Sequence, residues 1–319
     1  MNLHFITRRT LSKAVFAAAI AAMMMPSVLA APQTVPVKPA AVVQQYADLA
    51  PAQEVVLNDI TVYAFDESPL TLESSIFPDL SQYPDRMALM PKGQFHTITR
   101  TYLIQTGDRR VLVDGGWGTE SGVDGRTVDY LAKYGVSADD VTDILLTHMD
   151  VDHISGLLHG GKAVYPNAVL HIAAKEYNRW IVQGADREAE YIVLARKVAK
   201  AYEGRIALFD YDEEILPGIT ARNANGHTMG HTCYDVTSGN KGLTIVGDMI
   251  HVAPIQMRHT EYCSVYDVDP ALAAQTRERV LSELSRTDRL IAGMHFPQIG
   301  KVRKDKDGGY VVVPDTKEK

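Results

Sequence analysis

Between Asp143 and Leu157 the chain reads Asp-Ile-Leu-Leu-Thr-His-Met-Asp-Val-Asp-His-Ile-Ser-Gly-Leu, an apolar run that stops abruptly at side chains able to bind a metal: His148, Asp150, Asp152 and His153. Ile144-Leu145-Leu146 has the composition of a strand buried on both faces, so the polar residues behind it sit where the backbone leaves a sheet and can turn together into a cleft. Gly156 marks the turn into the next element. Two imidazoles and two carboxylates this close are costly to bury unless something compensates them, and divalent cations do so best. A solvated polar loop is the alternative. It fits poorly, because such loops seldom gather two His and two Asp without a Lys or Arg among them.

The second half of the chain repeats this local context. Gly226-His227-Thr228-Met229-Gly230-His231 follows an apolar run that starts at Ile219, Val246-Gly247-Asp248 ends another, and Gly293-Met294-His295-Phe296-Pro297 follows Leu290-Ile291-Ala292. Alone, each would read as a structural residue satisfied by backbone partners. With the first cluster, His227, Asp248 and His295 complete seven ligands, about what two metals sharing a bridging carboxylate require.

The N-terminal segment carries Thr7-Arg8-Arg9-Thr10-Leu11-Ser12-Lys13, an apolar run from Ala14 to Met25, Pro26, and then Val28-Leu29-Ala30. This is the pattern of a signal peptide (residues 1–30) cleaved near Ala30/Ala31, with an apolar run too short and too rich in Ala to span a membrane comfortably. Paired arginines ahead of it resemble a twin-arginine signal, with ordinary unfolded export as the alternative; either way the expected location is periplasmic or secreted. Residues 31–54, rich in Ala, Pro, Val and Gln, read as an extended arm, and no linker divides 55–319, which is expected to form one layered domain. The formal charge of −7 becomes −10 once Arg8, Arg9 and Lys13 are removed. Nucleic acid and membrane are therefore disfavoured as partners, and a small molecule is expected. Cys233 and Cys263 are too few for a disulfide scaffold and read as two separately buried thiols rather than a pair. The oligomeric state stays open, a homodimer included.

Strands are expected from Val55 to Phe65, Thr99 to Gln105, Arg110 to Val113, Ala168 to Ile172, Leu208 to Tyr211, Ile219 to Asn223, Tyr234 to Val236, Leu243 to Val246 and Arg289 to Ala292. Helices are expected from Thr127 to Tyr134, Lys175 to Lys200 and Pro270 to Ser285. Because no strict strand-helix repeat appears, the pattern predicts two sheets covered by helices rather than one doubly wound sheet.

The order His148-x-Asp150-x-Asp152-His153, Gly226-His227-Thr228, Gly247-Asp248 and a late His295 resembles the metallo-β-lactamase-fold hydrolase superfamily over essentially the whole mature chain. Tyr165-Pro166-Asn167-Ala168, Tyr266-Asp267-Val268-Asp269-Pro270 and His295-Phe296-Pro297-Gln298-Ile299-Gly300-Lys301-Val302 are similar to its exported methyl parathion hydrolase and lactonase branch. The resemblance implies an α/β fold, the four-layer αβ/βα sandwich. It also implies one metal on His148, position 150 and His227, a second on Asp152, His153 and His295, and Asp248 as the bridge. The implied cofactors are two divalent ions, zinc first. The implied reaction is attack by a metal-bridging hydroxide on a small ester, lactone or phosphotriester, with a β-lactam hydrolase or a redox di-iron protein of the same fold as alternatives. Asp152 is the expected residue to orient the water and carry a proton to the leaving group. Asp114, Thr228 and His231 are expected to hold ligands in place. Phe95, Trp117 and Phe296 are expected to line an apolar substrate mouth. His251, three residues beyond Asp248, is not counted in the site. The pattern departs from the family at Asp150, where His is usual; a carboxylate there makes iron or manganese more competitive with zinc. The di-iron branch carries a Glu at this place, but the chain lacks the flavin domain such redox chemistry needs.

Overall fold

The computed structural model describes residues 51–185 and 189–315. The expected signal peptide, its twin-arginine run and most of the 31–54 arm lie outside the described residues. In chain order the strands are β1 (Gln53–Leu57), β2 (Ile60–Glu73), β3 (Gln94–Thr106), β4 (Arg109–Val113), β5 (Asp143–Leu145), the short hairpin β6 (Leu158–His159) and β7 (Lys162–Ala163), β8 (Val169–Ala173), β9 (Ile206–Phe209), β10 (Glu213–Leu216), β11 (Ile219–Asn223), β12 (Thr232–Ser238), β13 (Lys241–Ile245), β14 (Leu290–Ala292), β15 (Gly300–Lys304) and β16 (Tyr310–Pro314). The α-helices are α1 (Pro84–Met87), α2 (Thr127–Lys133), α3 (Val151–Ile154), α4 (Ala174–Tyr177), α5 (Glu190–Ala201), α6 (Ala253–Gln256) and α7 (Pro270–Ser285).

One sheet runs β1-β2-β3-β4-β5-β8-β9 and the other runs β10 through β16 in sequence order. Their packing follows from side-chain alternation. On β4, Val111 and Val113 face the second sheet, where they join Tyr234, Ile245 and Ala292, while Leu112 joins Tyr130 and Leu131 of α2 and Val198 of α5 on the opposite face. On β3, Tyr102 and Ile104 point inward between the sheets and Leu103 points outward to the helices. The second sheet does the same: Tyr234 and Val236 face the first sheet, whereas Cys233 and Ile291 pack with Val280, Leu281 and Leu284 of α7. A period of two, apolar on both faces, is what a strand between two covered surfaces needs. The result is helix, sheet, sheet, helix, the four-layer sandwich expected.

Two expected elements differ in detail. The run from Val55 to Phe65 is a hairpin of β1 and β2, because Asn58 takes the left-handed conformation (φ 54°), which Asn tolerates, and turns the chain. The helix expected from Lys175 to Lys200 is interrupted: α4 passes into a π-helical turn over Asn178–Val182 before α5 begins, and across that turn Trp180 Nε1 donates to Glu176 Oε1 at 2.6 Å. The helix from Pro270 to Ser285 forms as expected, with Asp269 capping the backbone N–H of Leu272. Both cysteines are free; Cys233 is buried and Cys263 is partly exposed. Among the described residues no helix is long and apolar enough to cross a membrane.

Candidate metal centre

The parallel strands fix where the chemistry lies. β4, β5 and β8 run parallel in one sheet and β13 and β14 in the other, and ligands bind outside the carboxyl ends of such strands. The turn after β5 carries His148 and Asp150, and α3 adds Asp152 and His153. The turn between β11 and β12 carries His227; Asp248 and His295 follow β13 and β14. Gly247, ahead of Asp248, has φ 56°, and a Cβ there would meet His231 Nε2 at 2.5 Å, so only glycine lets this turn close against the histidine.

Asp248 sits at the centre. Its Oδ2 lies 2.9 Å from His295 Nε2, 3.3 Å from His153 Nε2, 3.4 Å from His251 Nε2 and 3.8 Å from both His148 Nε2 and His227 Nε2. Asp150 Oδ2 lies 3.4 Å from His227 Nε2 and 3.6 Å from His148 Nε2. Asp152 Oδ2 lies 3.5 Å from the Nε2 atoms of His153 and His295. Three overlapping groupings converge among the described residues, His148-Asp150-His227, Asp152-His153-Asp248-His295 and His227-Asp248-His251. The first two bring together the residues that the family resemblance names, with Asp248 near both, and the third adds His251.

Four of the imidazoles, those of His148, His153, His227 and His295, are oriented from behind. His148 Nδ1 is 3.0 Å from Thr147 Oγ1, His153 Nδ1 is 2.7 Å from Asp114 Oδ2, His227 Nδ1 is 3.2 Å from Asp267 Oδ1, and His295 Nδ1 is 3.0 Å from the Ile98 carbonyl. Every Nε2 is therefore turned toward the centre, the arrangement that metal-binding histidines use. Six of the nine buried side-chain atoms without a hydrogen-bond partner among the described residues belong to this cluster: His148 Nε2, Asp150 Oδ1, His153 Nε2, His227 Nε2, Asp248 Oδ1 and His251 Nδ1. Buried lone pairs cost free energy when left unmet, so the donor set fits a pair of divalent cations.

The electrostatics agree. Burial alone would raise the carboxyls of Asp150 and Asp248 and depress the imidazoles. Instead His148 and His227 hold Asp150 well below the usual carboxylate range, His295 and His153 do so for Asp248, and the carboxylates of Asp150 and Asp267 lift His227 to about 10. The pocket is built to surround positive charge.

His231 stands apart from the ligands. Burial and the neighbouring His148 and His227 keep it neutral, its Nδ1 donates to the Ala224 carbonyl at 3.0 Å, and its Nε2 accepts the Asp248 backbone N–H at 3.0 Å. Asp114, in the left-handed conformation with φ 58°, accepts from the Thr147 backbone N–H, Thr147 Oγ1 and His153 Nδ1. Thr228 Oγ1 donates to Glu176 Oε2 at 2.7 Å.

A cleft of about 410 Å³ opens onto the cluster, lined by Leu70, Leu72, Trp117, Val123, Val151, Tyr191, Leu194 and Tyr266 around Asp150, Asp152, Asp248 and three histidines. Asp150 and Asp152 face it, with 18% and 16% of their side chains exposed against 4% for Asp248. Trp117 lines the cleft, but the other two expected aromatics do not. Phe296 is buried against Met249, Leu281 and Val302, because the residue after His295 points to the far side of the backbone. Phe95 packs with Ile76, Phe77 and Val252, and Leu72, opposite it in the sheet, takes the place at the cleft. His251, left out of the expected site, is within it. The supporting residues Glu176, Asp267 and Thr147 were also not anticipated as such; Asp267 falls in one of the segments similar to the lactonase branch, which was the one signal available.

A model of the metallo-beta-lactamase superfamily matches residues 97–295. The chain belongs to that superfamily. It is 26% identical over 243 residues to a probable metallo-hydrolase of Mycobacterium tuberculosis, covering 64% of this chain and 76% of that protein. It is 23% identical over 228 residues to the N-acyl homoserine lactonase AiiA of Bacillus thuringiensis subsp. kurstaki, covering 64% of this chain and 83% of that one. Among solved structures it is similar in fold to AidC, a dizinc quorum-quenching lactonase in complex with a product, with TM-score 0.76, 24% identity, and 85% of this chain and 100% of that chain covered. The protein is thus a metallo-beta-lactamase-fold hydrolase whose His and Asp cluster could hold two divalent metals.

Proposed function

We propose that the protein hydrolyses small uncharged lactones and related esters, using two divalent cations held by the seven ligands. The observation that carries this reading is the cleft wall: apolar side chains and carboxylates surround the cluster, and among the described residues no Lys or Arg lines it. A β-lactam brings its own carboxylate and would find no Lys or Arg side chain on the cleft wall to pair with it, whereas a lactone or ester with an apolar substituent needs no such partner. The lactonases among its relatives and structural neighbours support the same class. When bound, two such cations make hydroxide available at neutral pH and polarise the carbonyl oxygen. Asp152, on the cleft wall, orients the attacking water and carries a proton to the leaving alcohol. His148, Asp150 and His227 would hold one cation and Asp152, His153 and His295 the other, with Asp248 near both. Zinc suits the imidazoles, and Asp150 brings iron or manganese into competition. Hydrolysis of a γ-lactone with an apolar side chain, a phosphotriester and a β-lactam by metal-analysed protein tests the reading. Lactone turnover well ahead of the other two is expected, and faster turnover of the β-lactam would overturn it.

A further inference from the structure

Glu67 is buried on β2 beside the cleft and belongs to none of the ligand sets. It sits at a register irregularity between Asp66 and Ser68, where β2 carries an extra residue against β3, and such bulges re-aim a side chain. Ser68 and Pro69, the next residues, line the cleft. The Glu67 carboxylate turns instead toward residues 115–126. Its Oε2 accepts the Trp117 backbone N–H at 2.9 Å; its Oε1 accepts the Arg126 backbone N–H at 3.2 Å and Thr127 Oγ1 at 2.9 Å. Gly116 leaves room for it, since a Cβ there would fall 2.2 Å from Oε2. Between the two anchored ends, Trp117, Glu120, Ser121 and Val123 form one wall of the cleft. The Trp117 indole is held in turn by Thr99 Oγ1 at 3.1 Å.

We propose that Glu67 is a positioning residue that fixes the 115–126 loop, and with it Trp117, as the substrate-facing wall of the cleft. Backbone bonds hold the start of the loop without it: Gly115 N–H donates to the His153 carbonyl at 2.7 Å, and Gly156 N–H to the Gly116 carbonyl at 2.9 Å. The ligand turn therefore does not depend on Glu67, whereas the wall does. Burial pushes the Glu67 carboxyl up to about 7 against the hydrogen bonds that favour its ionised form. The proposal rests on the cleft being the substrate site.

Glu67→Gln keeps the shape but sets an amide N–H₂ against one of the loop donors. The test uses full-length protein labelled with 5-fluorotryptophan, in which Trp117 and Trp180 are the two reporters, the Trp117 resonance being assigned with Trp117→Phe. In Glu67→Gln the Trp117 resonance is expected to shift or broaden while that of Trp180 stays in place. Metal content is expected to be unchanged, and KM for the turned-over substrate to rise roughly tenfold, within what one unmet buried donor costs, with kcat little altered. If Glu67→Gln does not fold, Thr127→Val removes one of the donors and decides the question, with a smaller shift in the same two readouts. An unmoved Trp117 resonance together with an unchanged KM in a folded variant overturns the proposal, and so does loss of metal in step with activity. The fluorine readout needs no substrate, so it stands or falls separately from the lactone assignment.

Discussion

Glu176 joins the two halves of the metal centre from behind, and its replacement can be followed donor by donor. Oε1 accepts the Met149 backbone N–H at 2.9 Å and Trp180 Nε1 at 2.6 Å; Oε2 accepts Thr228 Oγ1 at 2.7 Å and the Gly230 backbone N–H at 3.0 Å. Met149 lies inside the turn that carries His148 and Asp150, and Thr228 and Gly230 follow His227 within its turn. In Glu176→Gln the amide nitrogen settles at the Oε2 position, because there Thr228 can rotate its hydroxyl to accept, and only the Gly230 N–H is left unmet. One unmet buried donor costs about 1–3 kcal/mol. Burial already raises this carboxyl above its ordinary value, so removing the charge recovers part of that cost. A net destabilisation of about 1–2 kcal/mol is expected for the glutamine variant. Glu176→Ala leaves all of these donors without their acceptor. About 3–5 kcal/mol is expected there, because water entering the cavity meets some of them. Loss of the same brace should weaken metal binding by about 10–100-fold in the alanine variant and less in the glutamine variant. Guanidinium unfolding of the metal-free chain measures the first effect and competition with a chelator the second. If Glu176→Ala matches the wild type in both, the carboxylate is not holding the two turns together and the argument fails.

Three further outcomes follow from the site and the sequence. Asp248→Ala is expected to remove at least one metal and nearly all turnover, read by metal analysis and kinetics; two metals per chain with normal rates would refute the shared-carboxylate reading. Asp150→His, loaded from a defined mixture of zinc, iron and manganese, is expected to raise the zinc share, since imidazole replaces a harder oxygen donor; an unchanged ratio would remove Asp150 from the ligand set. We also propose export by the twin-arginine route, for which Arg8→Lys with Arg9→Lys should leave precursor in the cytoplasm, and unchanged periplasmic yield would count against it.

The seven clustered residues were legible because each follows an apolar strand or a glycine turn, and position in such a turn is a local property. What supports them was not legible. Glu176 reads as one polar residue on an amphipathic helix, and its partners, two of them backbone amides, lie up to 54 positions away. Glu67 is hidden for the same reason, with Thr127 60 positions distant. Phe296 and Phe95 were misread because an aromatic residue near a ligand carries no mark of which face it takes; the sheet assigns one to the α7 side of the core and the other to the cluster beneath Leu70 and Leu72. The split of the helix after Tyr177 was equally unreadable, since the π-helical turn is built from residues with ordinary helix propensity.

The division of the strands has a consequence for how the molecule is held together. Apart from the β6-β7 hairpin, every described strand through β9 belongs to one sheet and every strand from β10 onward to the other, so the described chain forms two sequence-contiguous leaves that meet near Tyr211. Each expected cation draws on both: His148 and Asp150 with His227, and Asp152 and His153 with His295. Cations held there would act as a clasp across the seam between the leaves, so that their binding would be linked to closure of that seam. Stripping them should loosen the amides that face between the sheets at the ligand end before those beneath α2 and α5. Hydrogen exchange with and without chelator would show this order, and uniform loosening of both regions would exclude it.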